Sequence, residues 1–226
     1  MLSIKKLSVL ALTLAATSVF AGPVVSFSSF GPLGAATFGG TGIPNGAVAI
    51  RTIGGIGASE VVLGLTATQR FFQPAVTNNG AGVFQAVTGA FAPGDNVARW
   101  NFNFYIGGAG LTSYTYRLFG DLSAAVGDAD SSYSDISVVL GLGSSLLTPG
   151  TVQGSQNLGF GTSFAQFDPN VAGQYGFILA AYNQNQQEVG RSAILVNVGT
   201  VPEPASLALV GLALLGMAGS MRRSRR

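Results

Sequence analysis

Between residues 100 and 118 the chain alternates in character. Trp100, Phe102, Phe104 and Ile106 fall on one side of an extended segment, while Asn101, Asn103 and Tyr105 fall on the other. The stretch "GGAGLTS" then turns the chain, and Tyr114, Tyr116 and Leu118 resume the period. This pattern predicts a β-hairpin with one buried face. A second hairpin is predicted near the end of the body. Tyr175, Phe177, Leu179 and Ala181 point one way, "NQNQQEVGR" reverses the chain, and Ile194, Val196 and Val198 return. Further strands are expected at 47–53, 60–66, 82–91 and 136–142, each bounded by Gly, Pro, Asn or Asp.

No stretch of the body carries an amphipathic period of 3.6, so the predicted fold class is all-β. Many short strands with glycine-rich turns read as a β-sandwich, with immunoglobulin-like and jelly-roll topologies both open. In "FDPNVAGQY", Gly173 stands two residues before Tyr175, as at the start of immunoglobulin-like strands. The Cys-Trp-Cys set of antibody domains is missing. Composition agrees with this class. Charged residues make up 9% of the chain against about 25% in ordinary soluble domains. Glycine occupies 33 of 226 positions, roughly twice its usual share of ~7%.

The formal charge of +2 conceals an asymmetry. Lys5, Lys6, Arg222, Arg223, Arg225 and Arg226 all lie in the two ends, and the body between Gly22 and Thr200 has five arginines against eight acids. A body with net charge −3 offers no basic face to a nucleic acid. The terminal cations are topology signals instead. Residues 1–21, "MLSIKKLSVLALTLAATSVFA", read as a signal peptide: Lys5 and Lys6, an apolar helix-forming stretch, then Val19 and Ala21 before a cut between Ala21 and Gly22. At the other end Ala205–Met221 is a charge-free run of 17 residues. As a helix rising ~1.5 Å per residue it covers about 25 Å, the short limit for a transmembrane span. The arginines after it stop transfer and hold the tip in the cytoplasm, leaving the body outside. Pro202 and Pro204 bracket Glu203 just before this run and force an extended step at the outer membrane face.

The last 26 residues, "VPEPASLALVGLALLGMAGSMRRSRR", resemble the PEP-CTERM sorting signal of Gram-negative bacteria in motif, apolar helix and arginine tail. The resemblance implies export through the Sec machinery and recognition of Pro202, Glu203 and Pro204 by exosortase, a membrane-embedded enzyme with a cysteine nucleophile. It further implies cleavage near that motif, loss of the helix, and delivery to the cell surface or exopolysaccharide matrix. The phrases "TGIPNGAVAI" and "FDPNVAGQYGF" are loosely similar to exported domains that precede such signals. The expected organisation is a signal peptide at 1–21, a β-sandwich at 22–200, and a sorting signal at 201–226 with its transmembrane helix at 205–221.

Candidate chemistry in the body is sparse. Histidine and cysteine are absent, which excludes Ser-His-Asp triads, thiolate nucleophiles, Cys/His zinc sites and disulfides. No cofactor motif occurs: the glycine-rich patches contain no GxxxxGK[ST] and no GxGxxG between strand and helix. Asp128 and Asp130, with Asp135 nearby, begin like a calcium loop. The pattern fails at its sixth position, Tyr133, and at its twelfth, Val139, so they remain weak metal candidates. A glycosidase would need two facing carboxylates, which spacing alone does not reveal. Among the aromatics, Trp100 and the alternating phenylalanines read as core, and Tyr105, Tyr114, Tyr116, Phe71 and Phe72 as possible sugar contacts, with Tyr105 the better candidate because it lies opposite Trp100. The expected function is a non-enzymatic exported surface or matrix protein. The alternatives are an exopolysaccharide-binding or -processing protein and a permanently membrane-anchored surface domain.

Overall fold

Strands with one apolar face must bury it, and here two such faces meet. A computed structural model of the chain describes residues 25–199 apart from 56, 58, 72–73, 124–132, 144–149, 161–163 and 165–166. One sheet has the order β1 (Ser29–Gly31), β2 (Val48–Ile53), β3 (Val61–Gln69), β6 (Trp100–Gly107), β9 (Thr151–Gln156). The other runs β4 (Thr77–Asn78), β5 (Val83–Val87), β11 (Glu188–Gly199), β10 (Gly173–Tyr182), β7 (Thr115–Gly120), β8 (Ser134–Asp135). The architecture is therefore an all-β sandwich. The pairings are antiparallel except for β5 against β11, which is parallel and departs from the fully antiparallel templates. Ser26 bridges to Ala193 on β11 before the chain joins β2 as β1, so the first segment links both sheets.

The core forms where the alternation predicts it. Leu65 faces Phe104 and Ala67 faces Phe102 across β3 and β6, and Tyr175 and Phe177 lie opposite Val196 and Ile194 across β10 and β11. Phe102 stacks on Phe177 between the sheets, with ring centroids 4.3 Å apart. Trp100 packs against Phe167, Tyr175 and Phe177. A buried hydroxyl also ties the layers, Ser192 Oγ donating to Ala49 O at 2.8 Å. The Tyr175 hydroxyl donates to Val171 O at 3.3 Å and fastens the start of β10 to the loop before it.

Two expectations are overturned here. The segments 100–106 and 114–118 do not form a hairpin, because β6 belongs to one sheet and β7 to the other. The intervening turn docks on the start of β3: Gly110 N–H donates to Glu60 O, and a Cβ on Gly110 would collide with Ser59 O. That close approach lifts the chain across the sandwich. The expected strand at 136–142 is instead helix α1, Val138–Gly143. "SVVLGLG" is apolar without alternation, and such a run does not distinguish a strand from a helix. The hairpin of β10 and β11 forms as expected, its turn closed by Asn183 Oδ1 accepting from Asn185 N–H and Gln187 N–H.

Among the described residues no helix is long and apolar enough to cross a membrane. The expected signal peptide at 1–21 with its cut at Ala21 and Gly22, and the expected span at 205–221, lie outside the described residues.

Candidate functional site

The outer face of the first sheet is polar where β3, β6 and β9 run side by side. Thr66, Asn103 and Ser155 form one row across the strands, and Gly64, Tyr105 and Gln153 form the next. Asn101 Nδ2 donates to Ser155 Oγ, and Asn103 Nδ2 donates to Thr68 Oγ1. The loop between β1 and β2 folds over this face. Gln153 Oε1 holds it by accepting from the N–H groups of both Thr37 and Phe38, at 2.9 and 2.8 Å. Leu33 fills the hollow left by Gly64, where a Cβ would sit 2.8 Å from its Cδ2. Tyr105 is consequently buried with Ala36, Phe38 and Val48. The expectation that Tyr105 contacts sugar is therefore corrected: it lies opposite Trp100, as its period requires, but a loop covers it.

Where that loop ends, a cleft of about 450 Å³ opens between residues 40–44 and the strands. Thr68, Asn101 and Ser155 line it, with Arg70 and Phe71 at its rim. Phe71 is 72% exposed and holds a left-handed backbone with φ of 58°. A side chain that is apolar, exposed and conformationally strained is the kind of exception that marks function. It has company. The Arg70 guanidinium lies 4.8 Å from the centroid of Phe71, 4.5 Å from that of Phe160 and 6.0 Å from that of Phe91. Its Nε is buried and finds no hydrogen-bond partner among the described residues. Burial lowers the Arg70 pKa from its usual value, and the carboxylate of Asp95 acts in the opposite direction. The charge thus lies against ring faces, with the Asp95 carboxylate favouring it from a distance. Beyond Phe91 a second, shallower cleft of about 440 Å³ runs along residues 89–96, with Arg99 and Asn170 on its wall.

The remaining candidates are scattered. Tyr116 is half-buried, its hydroxyl donating to Leu111 O at 2.8 Å, and Tyr114 packs beside it against the core. Asp135 is exposed and its Oδ1 accepts from Ser137 N–H at the turn into α1. Asp128, Asp130 and Phe72 lie outside the described residues, as do Pro202, Glu203, Pro204 and the arginines at 222, 223, 225 and 226. Among the described residues no group of three or more acidic side chains is placed to hold a metal. Sequence reasoning singled out Phe71 but missed Arg70 and Phe160, whose meeting depends on loops from three parts of the chain.

The two clefts and the aromatic cluster share one end of the sandwich, and β11 ends there. Gly199 O accepts from Thr88 N–H, and the next residue, Gly89, donates to Pro169 O. Residues 200–223 match the family model of the PEP-CTERM protein-sorting motif. The chain carries a PEP-CTERM sorting signal. It begins one residue after the last strand, so nothing but Thr200 separates the sandwich from "VPEP". A PEP-CTERM signal implies export, association with the surface and processing by exosortase. A search of curated proteins and a search of solved structures each returned no match.

Proposed function

We propose that this chain is an exported, non-catalytic β-sandwich, displayed on the cell surface or in the extracellular matrix after exosortase removes its anchor. In the precursor, the segment 205–221 spans the inner membrane with Arg222, Arg223, Arg225 and Arg226 on the cytoplasmic side. Pro202, Glu203 and Pro204 present an extended segment to the enzyme. The match of residues 200–223, directly after β11, carries this reading. The absence of histidine and cysteine from the sequence supports a role without triad, thiol or zinc chemistry. In the released form, the cleft beside Phe71 offers hydroxyl, amide and aromatic groups to an exopolysaccharide, the ligand class that a matrix destination favours.

Intact mass of the surface or extracellular form tests the sorting. A chain that begins at Gly22 and ends near the Pro202–Pro204 motif is the expected result. Retention of residues 205–226 would instead establish a permanently anchored surface domain.

A further inference from the structure

We infer that the end of the sandwich carrying Phe71, Phe160 and Arg70 rests on the lipid surface of the membrane while the sorting signal is still attached. The inference builds on the reading of 205–221 as a membrane span. From Gly199 the chain has five residues before that span begins, and fully extended they reach only about 17 Å. Whatever stands at this end is held against the bilayer. What stands there is a pair of phenylalanines 72% and 52% exposed, set around an arginine. Phenyl rings at the headgroup level leave water for the acyl boundary, and a guanidinium among them reaches phosphate oxygens. Arg70 is only partly buried, so the side chain keeps some exposure among these rings although its Nε is enclosed.

The opposite end differs in kind. The turn Asn183–Gln187 is built of Asn and Gln that hydrogen-bond to one another, and its residues from Gln184 onward are exposed. It lies one length of β10 away, roughly 30 Å for ten residues. The sandwich is therefore polarised along its axis, with the aromatic end on the side from which the tether leaves. Resting on lipid fixes the height of residues 200–204 above the bilayer, which is where a membrane-embedded protease must find them.

A chain without cysteine allows a clean test. Phe71→Cys and, as the far-end reference, Asn185→Cys are labelled with the fluorophore NBD in the full chain. Each is reconstituted in vesicles of phosphatidylethanolamine and phosphatidylglycerol. The expected result is blue-shifted emission at position 71, at least twofold quenched by lipids brominated near the headgroup, and unquenched aqueous emission at position 185. Phe160→Cys, labelled alike, gives a second reading from the same cluster. Equal, unquenched emission from positions 71, 160 and 185 would overturn the inference. So would shielding of position 71 that appears only when a soluble protein or glycan is added. Carbonate extraction of the same vesicles reports the span separately: a chain that stays with the lipid while position 71 remains aqueous refutes the docking alone, and a chain that is extracted refutes the anchored precursor on which it rests.

Discussion

The two ends of the sandwich are made from the same strands yet solve different problems. At the far end, β10 turns into β11 through Asn183–Gln187 with bonds supplied by one short polar segment. At the near end, the loops entering β6 and β10 and leaving β3 are each locked to the core from a distance. Asn157 is the clearest lock. Its Oδ1 accepts from Ala98 N–H and Gly159 N–H, and its Nδ2 donates to Ala98 O, Trp100 O and Asn101 Oδ1. The β10–β11 turn is local and replaceable, whereas the near-end loops are long-range and over-determined. A polypeptide invests long-range contacts where loop geometry must be held, and here they hold exposed Phe71 and Phe160 around Arg70.

The sharpest way to break this contrast is Trp100→Ala. The indole touches Phe167, Tyr175 and Phe177, and removing it leaves a cavity that strand backbones will not close. A loss of about 3–5 kcal/mol is expected from chemical denaturation followed by circular dichroism. Asn157→Ala comes next. It strands the buried Ala98 N–H and two carbonyl groups, for an expected loss of about 2–3 kcal/mol. Hydrogen exchange should quicken at residues 98–101 and stay unchanged at 183–188. If both ends quicken alike, the two are one cooperative unit and the contrast fails.

Much of the core was legible because a half-buried strand writes its own pattern. Trp100, Phe102, Phe104 and Ile106 face inward as their period requires, and Tyr175, Phe177 and Leu179 meet them from the other sheet. What alternation does not encode is the sheet to which a strand belongs. The crossing between β6 and β7 depends on Gly110 lying against Ser59, a contact between residues about fifty apart in sequence. Strand β9 was illegible for another reason: "TVQGSQ" has Gln153 and Ser155 on its outward positions and Gly154 between them, so no apolar period survives. The cleft was half legible. Phe71 is visible as an aromatic outside any period, but its partners Arg70 and Phe160 are assembled only by the fold, as is the loop that hides Tyr105.

The smallest expected effect sharpens the far end. Tyr116 lies opposite Ala181 at the end of β10, and its hydroxyl donates to Leu111 O in the crossing turn. Burial, reinforced by neighbouring Tyr114, pushes its pKa up to about 12, above the usual tyrosine value of about 10. Burial likewise raises Tyr105, Tyr175 and Tyr182. A raised value means that the folded state keeps its proton where the unfolded state has lost it. Stability from these groups is therefore full below pH ~10 and falls as pH rises from there towards 12. The unfolding midpoint should be insensitive to tyrosine ionisation at neutral pH and decline above pH ~10. Tyr116→Phe removes one hydrogen bond, for a loss of about 1 kcal/mol at pH 7, and it also removes one ionisation, so the alkaline decline becomes shallower. The two changes oppose each other at high pH, and the difference between wild type and variant should shrink there. A variant that declines as steeply as the parent would show that the Tyr116 hydroxyl is no more enclosed folded than unfolded, and that the crossing turn holds itself without it.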